Sequence, residues 1–137
     1  MCRGCGFVFY LDSKVAAGTI PVLDGKVVLL KRAIEPGYGK WVFPGGFVDR
    51  GETVEAAAVR ETKEEVNLNV RPLDLLGVYS YPGRPVIVVV YRAEVIGGEL
   101  RPGDEALEAR VFDNQEIPWD ELAFPSTRDA LRDLLGR

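Results

Sequence analysis

The sequence contains no histidine, and that absence removes every Ser-His-Asp or Cys-His catalytic arrangement and every histidine metal site. Carboxylates are left as the abundant acid, base and ligand groups. Cysteine is scarce too: Cys2 and Cys5 stand too close together to staple a fold, which suits a reducing, cytoplasmic setting. Long apolar runs are missing. The longest, Val86 to Tyr91, falls far short of the about 20 residues a membrane helix needs, and no basic-then-apolar leader opens the sequence. We therefore expect neither a membrane span nor secretion. Positive charge is in deficit, with 17 Lys and Arg against 21 Asp and Glu, net −4 and pI ≈ 4.9. That balance gives no general field for a polyanion, so nucleic acid is not an expected partner.

What is present suits one globular domain: 137 residues, 47% hydrophobic and 28% charged, enough to bury a core without staples. VAAGTIPVL from Val15, then Asp24-Gly25, then KVVLLKR, predicts a β-hairpin. Glu35 to Gly51 is rich in Gly, Pro and aromatics, and reads as a long loop region around Trp41-Val42-Phe43. Thr53 can cap a helix running to about Leu68, with Val54, Ala57, Ala58, Thr62 and Val66 as its inward stripe and Asn67 at its stop. Leu73 to Tyr81 and Pro85 to Ile96 read as strands, Gly97 to Asp104 as loop, and Ala109 to Phe112 as a short strand. A final helix is expected from Ser126, with Ser126 and Asp129 as its capping box. Strands around two helices predict the α/β class.

The densest signal is Gly46 to Glu52, followed by Arg60-Glu61-Thr62-Lys63-Glu64-Glu65-Val66-Asn67-Leu68. On a helix, Glu61 stands i,i+3 to Glu64 and i,i+4 to Glu65, so three carboxylates converge on one face. Like charges at that spacing cost about 0.2–0.5 kcal/mol per pair unless a cation lies between them. A solvated face, with Arg60 paired to Glu64, is one reading. A site for a hard divalent cation is the other, and Gly45-Gly46 just upstream favours it by letting backbone approach an ion or phosphate.

The pattern G-x5-E-x7-R-E-U-x-E-E-x-G-U, where U is a bulky apolar residue, is the signature of the Nudix hydrolases. Gly46 to Leu68 resembles it at every charged position, and Trp41 to Gly46, WVFPGG, resembles the family's lead-in. Two positions depart. Thr62 replaces a larger apolar residue, a matter of packing more than chemistry. Asn67 replaces the closing glycine, and asparagine is the residue that best tolerates the left-handed conformation there.

The resemblance implies an α/β/α sandwich with a mixed central sheet over residues 13–137, preceded by a partial zinc-ribbon-like segment, residues 1–12. It implies metal-dependent hydrolysis of a nucleoside-linked diphosphate. Glu61, Glu64 and Glu65 would bind Mg²⁺ or Mn²⁺ with the Gly45 carbonyl, and Glu52 and Arg60 would support them. The general base would be Glu64 or a later acid, Glu105 or Glu108. Zinc at Cys2 and Cys5 is not expected, since a complete site needs four ligands.

Substrate choice lies outside this box. NADH pyrophosphatases carry an SQPWPFP-like array that Tyr79-Ser80-Tyr81-Pro82-Gly83-Arg84-Pro85 does not match. A proline near Pro82 or Pro85, and the stretch Pro102 to Phe124, resemble the ADP-ribose and FAD pyrophosphatases. ADP-ribose or FAD, releasing AMP, is the expected substrate, with NADH or nucleoside triphosphates as alternatives. Trp41, Tyr79 and Tyr81 are candidates to stack on adenine, and Arg32 and Arg84 to meet phosphate, though strands also use such residues for packing. A non-catalytic nucleotide sensor and a zinc-ribbon nucleic-acid binder are the competing classes. A homodimer is expected by resemblance.

Overall fold

The structure is a computed structural model and describes residues 13–136. The ribbon-like segment, with Cys2 and Cys5, lies outside the described residues.

The first hairpin pairs β1 (Lys14–Leu23) with β2 (Lys26–Arg32) across Asp24-Gly25. Both turn residues take positive φ, 52° and 77°, the backbone twist a two-residue hairpin needs. β1 and β2 pair only beside this turn, at Val22–Val27 and Leu23–Lys26. Farther along, β1 is taken by β4 (Gly45–Phe47) and β2 by β3 (Trp41–Val42) and β7 (Ala106–Phe112). The hairpin therefore opens away from its turn. β1 also runs parallel to β6 (Val86–Gly98), whose outer neighbour is the antiparallel β5 (Leu68–Tyr79). The sheet is mixed, in the order β3-β2-β1-β6-β5 with β4 and β7 off that path.

Period-2 alternation sends the residues of each strand to two cores. On one side Ile20, Val27, Leu29, Trp41, Phe43, Val90 and Phe112 pack with Ala130 and Leu131 of α2 (Pro125–Leu135). On the other Val28, Leu30, Val42, Leu68, Val70 and Ala93 pack with Val66 of α1 (Val54–Val66). This is the expected helix–sheet–helix sandwich.

α1 starts on Thr53, whose hydroxyl accepts from the Ala56 amide at 3.1 Å, and stops on Asn67 in the left-handed conformation, φ 60°. Several boundaries differ from expectation, among them the start of β7, at Ala106 instead of Ala109. β5 begins at Leu68 instead of Leu73, since Asn69, Arg71 and Pro72 interrupt its apolar pattern on an edge strand where polar side chains face water. β6 runs on through Gly97 and Gly98, which pair with Asn69 and Leu68; at Gly98, φ 89°, a side chain would strike the Asn67 carbonyl. α2 begins at Pro125 with Phe124 as its N-cap, and the Ser126–Asp129 capping box does not form because Ser126 already lies inside the helix. Pro125 occupies the first helical position, where its missing N–H costs nothing. Among the described residues no helix is long and apolar enough to cross a membrane.

Candidate active site

α1 lays its carboxylates along one side, and β4 brings the backbone of Gly45 and Gly46 against them. The Gly45 amide donates to Glu65 Oε2 at 3.3 Å, and a side chain at Gly46 would occupy the space of the Glu61 carboxylate. Only glycine permits this approach.

Arg60 organises the acids around it. Its Nε donates to Glu52 Oε2 at 2.7 Å and its Nη2 to Glu52 Oε1 at 2.9 Å, a two-pronged pair. Nη1 donates to Glu61 Oε1 at 3.1 Å and Glu64 Oε1 at 3.2 Å, and Nη2 also reaches the Phe47 carbonyl at 3.2 Å. The Arg60 hydrogen bonds, with the Asp49 amide, hold the Glu52 carboxyl down to about 2. The same bond to Glu52 holds the Arg60 guanidinium firmly charged.

Glu61 and Glu65 are pushed the other way. Removal from water raises the Glu61 carboxyl against the pull of Arg60. Burial first, and then the Glu61 charge, push Glu65 up to about 8, with the Gly45 amide and Arg32 opposing. Two carboxylates forced together out of water, in reach of oxygen donors, suit a cation.

Glu61, Glu64 and Glu65 line a cavity of ≈ 480 Å³. Arg32, from the end of β2, and Glu105, from the loop before β7, face the same cavity with Leu30, Ile34 and Asp104. That loop is tied to the helix end, because the Gly103 amide donates to the Glu65 carbonyl at 2.9 Å. The Glu105 carbonyl accepts from the Ala33 amide at 2.9 Å. The structure thus brings together Arg32, Glu61, Glu64, Glu65 and Glu105, with Gly45, Glu52 and Arg60 bonded to them.

It does not bring the aromatic candidates there. Trp41 is 5% exposed and meets Phe112 edge-on at 4.8 Å, in the core on the α2 side of the sheet. Its ring is committed to packing, which corrects the stacking role expected of it. Tyr79 and Tyr81 donate to α2 carboxylates, Tyr79 to Asp133 at 2.7 Å and Tyr81 to Asp129 at 2.6 Å. Arg84 lies in the exposed turn between β5 and β6, and Glu108 of β7 stands opposite Lys31 of β2. None of these lines the cavity. Ile34 and Asp104 do, without having been singled out; alternation through Val28, Leu30 and Arg32 places Arg32 and its neighbours at the end of a buried strand face.

Residues 12–134 match the family model described as the NUDIX domain. The chain belongs to the Nudix family. An ADP-ribose pyrophosphatase of Methanocaldococcus jannaschii is 49% identical over 119 residues, 84% of this chain and 69% of that protein. The NAD-capped RNA hydrolase NudC of Chromobacterium violaceum is 34% identical over 118 residues, 85% of this chain and 44% of that protein, so the chain spans under half of that relative. The crystal structure of a NUDIX hydrolase from Nitrosomonas europaea superposes with a TM-score of 0.92 at 40% identity, over 100% of this chain and 78% of that one. This is a Nudix hydrolase, of a family that generally uses divalent metals.

The donor set fits such an ion in chemistry: hard carboxylate oxygens, those of Glu61 and Glu65 raised by burial, beside glycine backbone. As the side chains stand, no group of three or more acids among the described residues encloses a cation. Arg60 engages both Glu61 and Glu64.

Proposed function

We propose that this Nudix hydrolase cleaves the diphosphate of ADP-ribose with water, giving AMP and ribose 5-phosphate, and accepts FAD as a substrate of the same class. The carrying observation is the single cavity that Glu61, Glu64 and Glu65 share with Arg32 and Glu105. The M. jannaschii relative, at 49% identity over most of this chain, supports ADP-ribose over the NAD-capped RNA named for the more distant NudC relative.

Glu61, Glu64 and Glu65 would hold Mg²⁺ or Mn²⁺, with the Gly45 carbonyl and Glu52 in support. A divalent cation bound there supplies neutralising charge for the diphosphate and a water of lowered pKa. Arg60 orients Glu52, Glu61 and Glu64 by charge-assisted hydrogen bonds, so its work is positional. Arg32 gives the diphosphate a cation in the same cavity as these acids. The proton released by the attacking water passes to a carboxylate at the cavity, Glu64 or Glu105. A homodimer in the cytoplasm belongs to the same reading.

The test is product analysis with Mg²⁺ or Mn²⁺ on ADP-ribose, FAD, NADH, diadenosine polyphosphates and nucleoside triphosphates. AMP with ribose 5-phosphate from ADP-ribose is expected. Cleavage of triphosphates alone would overturn the substrate, and binding without cleavage would favour a sensor.

A further inference from the structure

Arg32 is held on several sides, by the loop that follows β2, by its pairing with β7 and by Phe124. The pairing of β2 with β7 shifts register between Lys31 and Arg32, the kind of irregularity that re-aims a side chain at a strand end. Its backbone is fixed on both sides of the peptide: the Arg32 amide donates to the Lys40 carbonyl at 2.9 Å, and its carbonyl accepts from the Gly39 amide at 2.8 Å. Its Nε donates to the Pro36 carbonyl at 2.7 Å. The guanidinium carbon stands 5.0 Å from the centre of the Phe124 ring. Gly37, φ 82°, closes the loop under the side chain, where an added Cβ would come to 3.3 Å from Arg32 Cδ and 3.2 Å from Ala123 Cβ.

A free arginine is among the most rotamer-rich side chains, and ordering it on binding weakens affinity. A guanidinium stacked on an aromatic face, with Nε already occupied, keeps its terminal nitrogens as donors in a preset plane. Phe124 is half-buried between the α1-side core and Arg32, and no cavity residue duplicates it.

We propose that the Phe124 ring and the Pro36 carbonyl hold the Arg32 guanidinium at the cavity as a preorganised cation for the substrate's diphosphate, making Phe124 a positioning residue. This rests on the diphosphate reading above, in which Arg32 faces the phosphates. Phe124 acts through Arg32 alone, so its effect disappears when Arg32 is removed.

The test is a double-mutant cycle on Phe124→Leu and Arg32→Ala, read as the dissociation constant of inorganic pyrophosphate with Mg²⁺ present, with KM and kcat for ADP-ribose measured alongside. Leucine retains apolar packing and removes the π face. Phe124→Leu is expected to weaken pyrophosphate binding and raise KM by about 3–10-fold with kcat changed less than twofold. The same change in the Arg32→Ala background is expected to have no effect. Phe124→Tyr, which keeps the ring, is expected to bind within twofold of the wild type. Equal losses in both backgrounds would make Phe124 merely structural and overturn the proposal. No loss from Phe124→Leu, or no pyrophosphate binding by the wild type, would overturn it too. A wild type that binds pyrophosphate with the expected coupling but leaves ADP-ribose uncut would overturn the substrate and leave this inference standing.

Discussion

Thr62 and Thr19 share a hydrogen bond of 2.7 Å between α1 and β1, with both residues fully buried. Thr62 also donates to the Ala58 carbonyl at 2.8 Å, so the Thr19 hydroxyl is the donor between the two. The position where the Nudix pattern has a bulky apolar residue is thus matched to a partner on the facing strand. Replacing Thr62 with Val strands the Thr19 hydroxyl and is expected to cost about 1–3 kcal/mol in denaturant unfolding. Changing both residues to Val is expected to recover most of that loss.

Glu65→Gln is expected to leave the fold intact and lower turnover by orders of magnitude, as removal of an anionic oxygen from the carboxylate set would. Near-normal activity would sink its place in the site.

The same residue predicts a pH slope in the metal-free protein. With its folded pKa up to about 8 and its usual value at 4.5, the unfolded chain releases the proton first as pH rises. Its contribution is complete below about 4.5 and declines as pH rises through about 8, by at most about 1.4 kcal/mol per pH unit. Melting in EDTA across that range is expected to show a slope that Glu65→Gln removes.

Glu52 gives the opposite sign. Its carboxyl is held down to about 2, so its contribution is present above its usual 4.5 and is lost as pH falls through about 2. Arg60→Lys cannot reproduce the two-pronged bond to Glu52 together with the reach to Glu61, Glu64 and Phe47. Activity about 10–100-fold lower is expected, in a protein whose circular dichroism is unchanged.

Tyr79 and Tyr81 predict behaviour in alkali. Burial, and then the bonds to Asp133 and Asp129, raise both phenols above their usual 10. Their contribution is complete below 10 and lost as pH rises beyond it. Tyr79→Phe is expected to lower stability at neutral pH by about 0.5–3 kcal/mol and to weaken the alkaline loss measured by urea unfolding.

Much of the site was legible because helical spacing is rigid: Glu61, Glu64 and Glu65 had to share a face once Thr53 and Asn67 bounded a helix. Arg32 was legible as a cation at a strand end. Trp41 was misread because Trp41, Val42 and Phe43 are all buried, and alternation separates two faces without saying which faces the acids. The start of β5 was hidden by Asn69, Arg71 and Pro72, polar or ring residues that an edge strand accommodates. Phe124 left no signal, since its partner Arg32 lies far along the chain and only the folded sheet brings them together.

The loop from Glu99 to Glu105 is pinned to the end of α1 at several points. Asn67 Nδ2 donates to the Glu99 carbonyl at 2.7 Å, the Arg101 amide to the Val66 carbonyl at 3.1 Å, and the Gly103 amide to the Glu65 carbonyl. The helix acids and the loop acid are consequently one mechanical unit, with their separation written in the number of residues between Asn67's partner and Gly103. Loop length is constrained here in a way it is not at the exposed Pro82-Gly83 turn: an extra residue there could bulge into solvent, whereas one between Leu100 and Gly103 would change how far Glu105 stands from the helix carboxylates.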